Sequence, residues 1–247
     1  MSIKLKNLGP GLLFAGAAIG VSHLVQSTRA GADFGMGLLW ALLLVNVFKY
    51  PFFQFGPRYA AATGESLLDG YKKLGKGVLA TYYILTFATM FTIQTAVTIV
   101  TAGLASSLFG DLGFDAEMAV KIWTIIVLII SLALLIFGKY KLLDKLIKVI
   151  IITLSISTIA AVIVALSNNP APISFTQILP EGAIEIGFLI AFMGWMPAPL
   201  DISVWHSLWA VEKRKDDKEF NAKSALFDFN VGYIGTFILG ICFVLLG

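Results

Sequence analysis

The sequence is poor in the residues on which soluble enzymes depend. Only 13% of its 247 residues are charged, and it has two histidines and a single cysteine, Cys242. One cysteine excludes an internal disulfide and a metal cage built from cysteines. A net charge of +3 that is spread over several loops does not favour a nucleic-acid partner. No GxxxxGK[ST] loop for a nucleotide is present, and we expect neither enzymatic activity nor a cofactor.

Apolar residues make up most of the chain. They account for 58% of it, and the mean hydropathy is +0.87, which is typical of a polytopic membrane protein. A helix needs about 20 mostly apolar residues to cross a bilayer. Seven stretches predict spans one to seven, at 10–30, 36–59, 77–109, 119–138, 143–167, 182–209 and 225–246. The predicted fold class is an all-α polytopic membrane protein, with residues 1–247 in one transmembrane domain surrounded by membrane lipid.

Basic residues alternate between the connections and predict the orientation of the chain. The segment before span one and every second connection after it carry lysines and arginines: Lys4, Lys6, Lys72, Lys73, Lys76, Lys139, Lys141, Lys213, Arg214, Lys215 and Lys218. The intervening connections 110–118 and 167–183 carry none. Because basic connections stay in the cytoplasm, we expect a multi-pass protein of the plasma (inner) membrane with a cytoplasmic N-terminus.

Two spans contain residues that interrupt a membrane helix. In span one the apolar pattern gives way to glycine and polar side chains at 20–23, and span six contains MPAP at 196–199. A proline within a helix costs about 3 kcal/mol or more, and backbone groups freed in hydrocarbon have no water to bind. Such breaks persist where they line a cavity or bind an ion, although membrane helices also tolerate ordinary kinks.

The two breaks lie five spans apart, which is the spacing of an inverted repeat built from five-helix units. We expect a first repeat over about 10–167 and the start of a second over about 182–247. The chain stops inside the apolar run FILGICFVLLG, so we also expect a sequence that is cut off after its seventh span.

Three segments around the breaks are similar to one known family. They are the opening GPGLLFAGAAIGVSHLVQSTRAGADFGMGLLWALLLVN, the segment AAATGESLLDGY that follows span two, and WMP in span six. In all three the sequence resembles the Nramp family of divalent-metal transporters. The resemblance extends over the whole chain, which corresponds to the first seven of that family's ten or more helices. The resemblance implies a LeuT-type inverted-repeat fold and secondary transport of a divalent cation by alternating access, with proton coupling by analogy.

The metal ligands of that family are only partly present. Where its first helix has Asp-Pro-Gly-Asn, with the aspartate and asparagine as ligands, this chain has glycine, valine, serine and histidine at 20–23. In helix six the ligand methionine corresponds to Met196, followed by Pro197, but Ala198 replaces the family's histidine. The resemblance therefore implies cation transport more firmly than it implies manganese or iron, and magnesium is an alternative substrate.

Asp201 is the only carboxylate within the two interrupted segments, and a charge near the bilayer centre indicates a function. We predict that it supplies a negative charge to the cation in place of the missing first-helix aspartate. A structural role is also open. Pro199 at the start of the second half-helix would place Asp201 in the first turn, where a carboxylate complements the helix dipole.

The other candidate metal ligands are His23, Met196, Ser22 and carbonyls freed near Gly20 and Met193. Imidazole and thioether ligands favour ions such as manganese or iron, whereas magnesium prefers oxygen. Alternatives are open for both side chains, because a histidine in a break also hydrogen-bonds freed carbonyls and a methionine in a membrane helix often only packs.

His206 and Ser203 lie three residues apart in span six and share a helix face. We predict a proton path or gate there, because histidine titrates near neutral pH, and an ordinary interhelical hydrogen bond is the alternative. His206 lies about 140° around the helix from Asp201, so these two do not bind one ion directly.

Other polar residues of the spans have simpler interpretations. Gln94 and Thr98 share a face of span three, whereas its threonines at every third position wind around the helix and are expected to bond to the backbone. Four charged residues near the ends of spans one and two fit snorkelling or gate ion pairs: Arg29, Asp33, Lys49 and Arg58.

Two other functions are open. An organic-solute carrier would bind a substrate carboxylate at the half-helix N-termini, although Asp201 beside such a terminus would repel an anion. The second alternative is an incomplete copy of a transporter that carries nothing.

Overall fold

The computed structural model describes residues 8–168 and 173–247, so the predicted cytoplasmic residues Lys4 and Lys6 lie outside it. These two ranges form helices and short connections. The α-helices are α1 Pro10–Ala18, α2 Thr28–Phe34, α3 Leu39–Thr63, α4 Leu67–Leu74, α5 Lys76–Phe109, α6 Ala116–Asn168, α7 Ala183–Trp195, α8 Asp201–Asp216 and α9 Ala222–Leu246. A π-helical turn, Val21–Ser27, precedes α2, and a 3-10 turn, Gly35–Leu38, precedes α3.

The helices confirm the positions of the predicted spans. The described residues contain five helical stretches that are long and apolar enough to cross a membrane: Pro10–Thr63, Lys76–Phe109, Ala116–Gly138, Tyr140–Asn168 and Ala222–Leu246. The first of these contains spans one and two, and the shorter apolar helix Ala183–Trp195 corresponds to the first half of span six. All seven apolar stretches therefore form helices, with interruptions in spans one and six.

The connection between spans four and five is helical rather than a loop, because α6 includes it, while the two spans stay separate as predicted. The sequence of α6 contains no proline and only one glycine, Gly138, and the residues between the two apolar stretches are good helix formers. The helix is not regular at Gly138, because a Cβ added there would lie 2.6 Å from Leu142 Cβ, whereas Cβ atoms four residues apart in a regular α-helix are about 5–6 Å apart. Its two apolar parts are separate candidate spans, Ala116–Gly138 and Tyr140–Asn168.

Span one is interrupted where the sequence predicts a break. Helix α1 ends at Ala18, Ile19 N–H donates to the Ala15 carbonyl, and Gly20 N–H folds back onto the Ala18 carbonyl at 2.9 Å. The π-helical turn then starts at Val21, and the Gly20 carbonyl accepts hydrogen bonds from the next turn. The backbone angles of Gly20, φ −129° and ψ −124°, are not helical.

Span six is interrupted in the same way. Helix α7 ends at Trp195, helix α8 begins at Asp201, and the residues between them are not helical. Pro197 and Pro199 in this segment have no N–H to continue the helical hydrogen-bond pattern. Both predicted breaks are therefore confirmed.

The contacts divide the described chain into two compact units. One contains the described residues up to Gly70 together with those from Leu146 onwards, and the other contains Tyr71–Lys145. The first unit holds both interrupted spans, with α3 and α9 packed against them. In the second unit the Gln94 amide donates to Thr98 Oγ1 at 2.9 Å, which confirms the shared face predicted for this pair.

The centre of the first unit is a cluster of buried aromatic rings. Phe14, Phe53, Phe229 and Tyr233 come from α1, α3 and α9, and the Phe14 ring lies 5.5–5.7 Å from the other three. Edge-to-face and offset ring pairs of this kind fix side-chain orientation as well as burying area. The cluster therefore holds the start of span one against its neighbours.

Helices α1 and α9 cross at two glycines. A Cβ on Gly11 would meet the backbone carbonyl of Asp228, and a Cβ on Gly232 would meet the backbone carbonyl of Gly11. Because backbone atoms on both sides leave no room for a side chain, this close approach requires glycine at both positions.

Candidate functional site

The two breaks touch each other through Ser22. Its hydroxyl is buried, with 2% of the residue exposed, and lies 2.6 Å from the Ala18 carbonyl and 3.3 Å from the Pro197 carbonyl. Ala18 ends α1, and Pro197 lies in the break of span six. One side chain therefore links the freed carbonyl of one interrupted span to that of the other.

His23 is fully buried beside this link, and both of its ring nitrogens are engaged. Nδ1 lies 2.7 Å from Ser22 Oγ, and Nε2 lies 3.0 Å from the carbonyl of Thr236 in α9. A carbonyl oxygen only accepts, so Nε2 must carry a proton and donate it. In this arrangement the imidazole joins the Ser22 hydroxyl to a backbone carbonyl of α9, and it must break a hydrogen bond before it can bind a metal.

Met196 is brought to the same place from span six. Only 1% of this residue is exposed, and its side chain and the His23 ring both lie against Gly240 of α9. A methyl group added to Gly240 would lie 3.5 Å from Met196 Cε and 3.6 Å from His23 Nε2. The structure thus brings together three of the predicted ligands: Ser22, His23 and Met196.

The remaining two candidate ligands lie at the ends of the breaks. The Gly20 carbonyl accepts hydrogen bonds from His23 N–H at 3.1 Å and Leu24 N–H at 2.9 Å, so it belongs to the π-helical turn. Asp201 is half-buried and begins α8, which confirms its predicted place in the first turn. Its role as the charge that balances a cation stays a prediction.

His206 and Ser203 do not hydrogen-bond to each other. Ser203 Oγ donates to the Leu200 carbonyl at 2.8 Å. His206 is fully buried and stacks against the Phe14 ring at 5.5 Å, and neither of its ring nitrogens has a hydrogen-bond partner within the part of the chain that the structure describes. The proton path assigned to this pair stays a prediction, and the immediate surroundings of the ring are aromatic.

Lys49 has a role that the sequence did not predict. It was grouped with residues that snorkel or form gate ion pairs, but it lies in the middle of α3 and its ammonium group reaches into the break of span six. Nζ lies 2.9 Å from the Met193 carbonyl, 2.8 Å from the Gly194 carbonyl and 2.6 Å from the Met196 carbonyl. The Met193 carbonyl, predicted to be available to an ion, is thus a partner of this lysine.

Asp228 is a second polar residue that the sequence did not reveal. It is buried in α9, and its two carboxylate oxygens accept hydrogen bonds from Gly9 N–H at 2.9 Å and Gly11 N–H at 2.7 Å, at the start of α1. A negative charge at a helix N-terminus satisfies free N–H groups and complements the helix dipole. A carboxylate inside an apolar span was the available signal, and it indicates a position of structural or functional importance.

Among the described residues, no group of three or more histidine, cysteine, aspartate or glutamate side chains is placed to hold a metal ion. Met196 and His23 at Gly240, with Ser22 beside His23, instead offer one thioether, one imidazole and one hydroxyl. Such a set is softer than the oxygen-rich sites that magnesium and calcium prefer.

Comparisons with known proteins give a consistent result. A family sequence model described as Nramp, natural resistance-associated macrophage protein-like, matches residues 11–246. An uncharacterized protein of Pasteurella multocida (strain Pm70) is 41% identical over 248 residues, which cover 99% of this chain and 56% of that protein. The chain therefore spans just over half the length of this curated relative. No solved structure matches the chain.

Proposed function

The chain belongs to the Nramp family, and from this membership we propose that it is a secondary transporter that carries a divalent metal cation across the membrane by alternating access. The resemblance found in the sequence motifs is confirmed, and the protein is an all-α, membrane-embedded member of a family of transporters rather than enzymes. Location in the plasma membrane with a cytoplasmic N-terminus, and coupling to protons, are parts of the proposal.

The observation that supports a transport site is the meeting of the two breaks. Ser22 hydrogen-bonds across them, and His23 and Met196 lie against the same glycine of α9. Interrupted helices at corresponding places in the two halves of a transporter mark a substrate site near the bilayer midplane. We place the ion there, between spans one and six.

The chemistry of this place favours an ion of the manganese or iron type. The Met196 sulfur is a soft ligand, and the His23 imidazole becomes a ligand when Nε2 gives up its bond to the Thr236 carbonyl and the ring proton moves to Nδ1, where the Ser22 oxygen accepts it. Asp201 in the first turn of α8 supplies negative charge. Removing the sulfur should therefore weaken transport of soft ions more than transport of magnesium.

The test is uptake of Mn²⁺ and Mg²⁺ into liposomes that contain the purified protein. Met196→Leu keeps the volume and removes the sulfur, while Asp201→Asn removes the charge. Met90→Leu, at an exposed methionine of α5, is the matched control. The proposal expects Met196→Leu to reduce Mn²⁺ uptake at least tenfold, and Met90→Leu to leave it unchanged. Equal uptake by all these variants would reject the site, and absence of metal uptake by the unmodified protein would reject the function.

A carrier for a small organic carboxylate is the second candidate, and the Lys49 ammonium group favours it. A fixed positive charge in the break of span six attracts an anion and repels a bare metal ion. Asp201 counts against this candidate, because it places a negative charge at the half-helix N-terminus that would bind the carboxylate. Uptake of radiolabelled carboxylates by the same liposomes distinguishes the two candidates.

A further inference from the structure

We propose that the break of span six is a cation site whose occupant is the chain's own Lys49, a tethered ammonium ion that takes the place of an exchangeable one. This inference concerns the backbone of the break, whereas the proposed metal ligands are the side chains on its other side.

The first reason is geometric. An ammonium group has three N–H donors and no acceptor, and the carbonyls of Met193, Gly194 and Met196 provide three acceptors at 2.6–2.9 Å from Nζ. Donors and acceptors therefore match in number. Rings of backbone carbonyls are also what membrane proteins use to replace the hydration shell of a potassium ion, which is similar in size to ammonium.

The second reason is electrostatic. Met193 and Gly194 lie in the last turn of α7, so their carbonyls belong to the negative end of the helix dipole, and Met196, which follows in an extended conformation, adds a third carbonyl. A cation is stabilised there. Without one, the carbonyls of Met193 and Met196, which the break leaves outside the helical hydrogen-bond pattern, would lose this partner in an apolar environment.

The third reason is the cost of the lysine itself. Lys49 is half-buried in the middle of α3, a helix of 25 residues that corresponds to span two. A lysine at such a depth is expensive unless it pairs with an opposite charge or with backbone carbonyls. The carbonyls of span six are its partners in the structure, so the lysine and the break stabilise each other.

The arrangement gives Met196 two faces with different roles. Its carbonyl accepts a hydrogen bond from Lys49, whereas its side chain lies against Gly240 in the proposed ion site. It follows that the break of span six stays in this conformation without a sodium or potassium ion, and that it offers side chains rather than carbonyls to the transported solute.

Thermal unfolding of the purified protein in detergent tests the inference without any transport assay. The unmodified protein should have the same Tm in tetramethylammonium, sodium or potassium chloride at equal ionic strength. Lys49→Ala should lower the Tm by about 5–10 °C in tetramethylammonium chloride, because the carbonyls lose their donors. Potassium or n-propylammonium, which carries three N–H groups, should restore at least half of this loss in a saturable way.

Three further variants make the result decisive. Lys76→Ala, at an exposed lysine that begins α5, should change neither the Tm nor its response to cations. Lys49→Met fills the space without charge, so its loss should not be restored by either cation. Lys49→Gln, which keeps two N–H donors, should be intermediate, and it serves as the folded comparison if Lys49→Ala cannot be purified.

Two results would overturn the proposal. One is stabilisation of the unmodified protein by potassium or sodium, which would mean that an exchangeable ion occupies the break. The other is a Lys49→Gln protein as stable as the unmodified one, which would mean that the charge is not needed. Either result leaves the proposed metal transport untouched, because that depends on Met196 Sδ and is measured by uptake.

Discussion

Ser22 and Pro197 lie 175 residues apart in the chain and are joined by a hydrogen bond of 3.3 Å, from the Ser22 hydroxyl to the Pro197 carbonyl. The bond connects the broken backbone of span one with that of span six. Each break frees carbonyl groups that hydrocarbon cannot satisfy, and the Ser22 hydroxyl, which has a single proton, lies within hydrogen-bond distance of one carbonyl from each break. His23 and Met196 both lie against Gly240 beside this contact, and this small region is the centre of our functional proposal.

The crossing of α1 and α9 predicts sensitivity to a single methyl group. Gly232→Ala would press a Cβ against the Gly11 carbonyl, so the helices must separate. We expect a loss of about 1–3 kcal/mol, seen as a Tm lower by about 2–12 °C. Gly235→Ala, three residues further along α9 and in open space, is the matched control and should leave the Tm within about 2 °C of the unmodified value. Equal Tm values for both variants would contradict the close crossing.

The cap on α1 predicts a graded loss in two variants of Asp228. Asp228→Ala leaves the N–H groups of Gly9 and Gly11 without acceptors, and we expect about 2–5 kcal/mol less stability. Asp228→Asn keeps one acceptor oxygen, so its stability should lie between that of the unmodified protein and that of Asp228→Ala. Thermal unfolding measures the order, with Glu181→Gln, at an exposed position, as the control. An asparagine variant less stable than the alanine variant would show that the carboxylate does not act as a cap.

The two buried histidines predict opposite responses to the same substitution. His206 sits among aromatic rings without a hydrogen-bond partner for either nitrogen in the described residues, so His206→Phe should leave the Tm unchanged or raise it. His23→Phe breaks the bonds to Ser22 and Thr236 and should lower the Tm by about 4–12 °C. A comparable loss in both variants would mean that His206 has a partner in the folded protein.

The same His206 variant tests the proton path. If His206 and Ser203 carry protons, metal uptake by His206→Phe liposomes should lose its dependence on an inward pH gradient while the protein stays folded. Uptake that keeps its full response to the gradient would remove His206 from the path.

Much of the fold follows from the sequence because apolar length and helix-breaking residues are local properties. A window of about 20 apolar residues identifies a span wherever it lies. Glycine at 20 and prolines at 197 and 199 interrupt a helix by their own backbone chemistry, and both breaks lie where they were predicted. The pairing of Gln94 with Thr98 is equally local, because it depends on one helical turn.

What the sequence did not reveal depends on long-range contacts. Lys49 is read from sequence as a residue near a helix end, and only packing of α3 against the break brings its ammonium to carbonyls more than 140 positions away. The role of Asp228 was missed for the same reason, because its hydrogen-bond partners lie at the other end of the chain. The helical conformation of the connection between spans four and five was missed for the opposite reason, since charged residues between two apolar stretches suggest a loop even where they are good helix formers.

The binding position of the metal ion is the most direct test of the account. Crystals of the purified protein soaked in Mn²⁺ would show the ion by its anomalous scattering, with crystals of Met196→Leu soaked in parallel. We predict one strong peak between the two breaks, within bonding distance of Met196 Sδ, which the leucine variant loses. A peak elsewhere in the membrane region, or the same peak in the leucine variant, would contradict the proposed site.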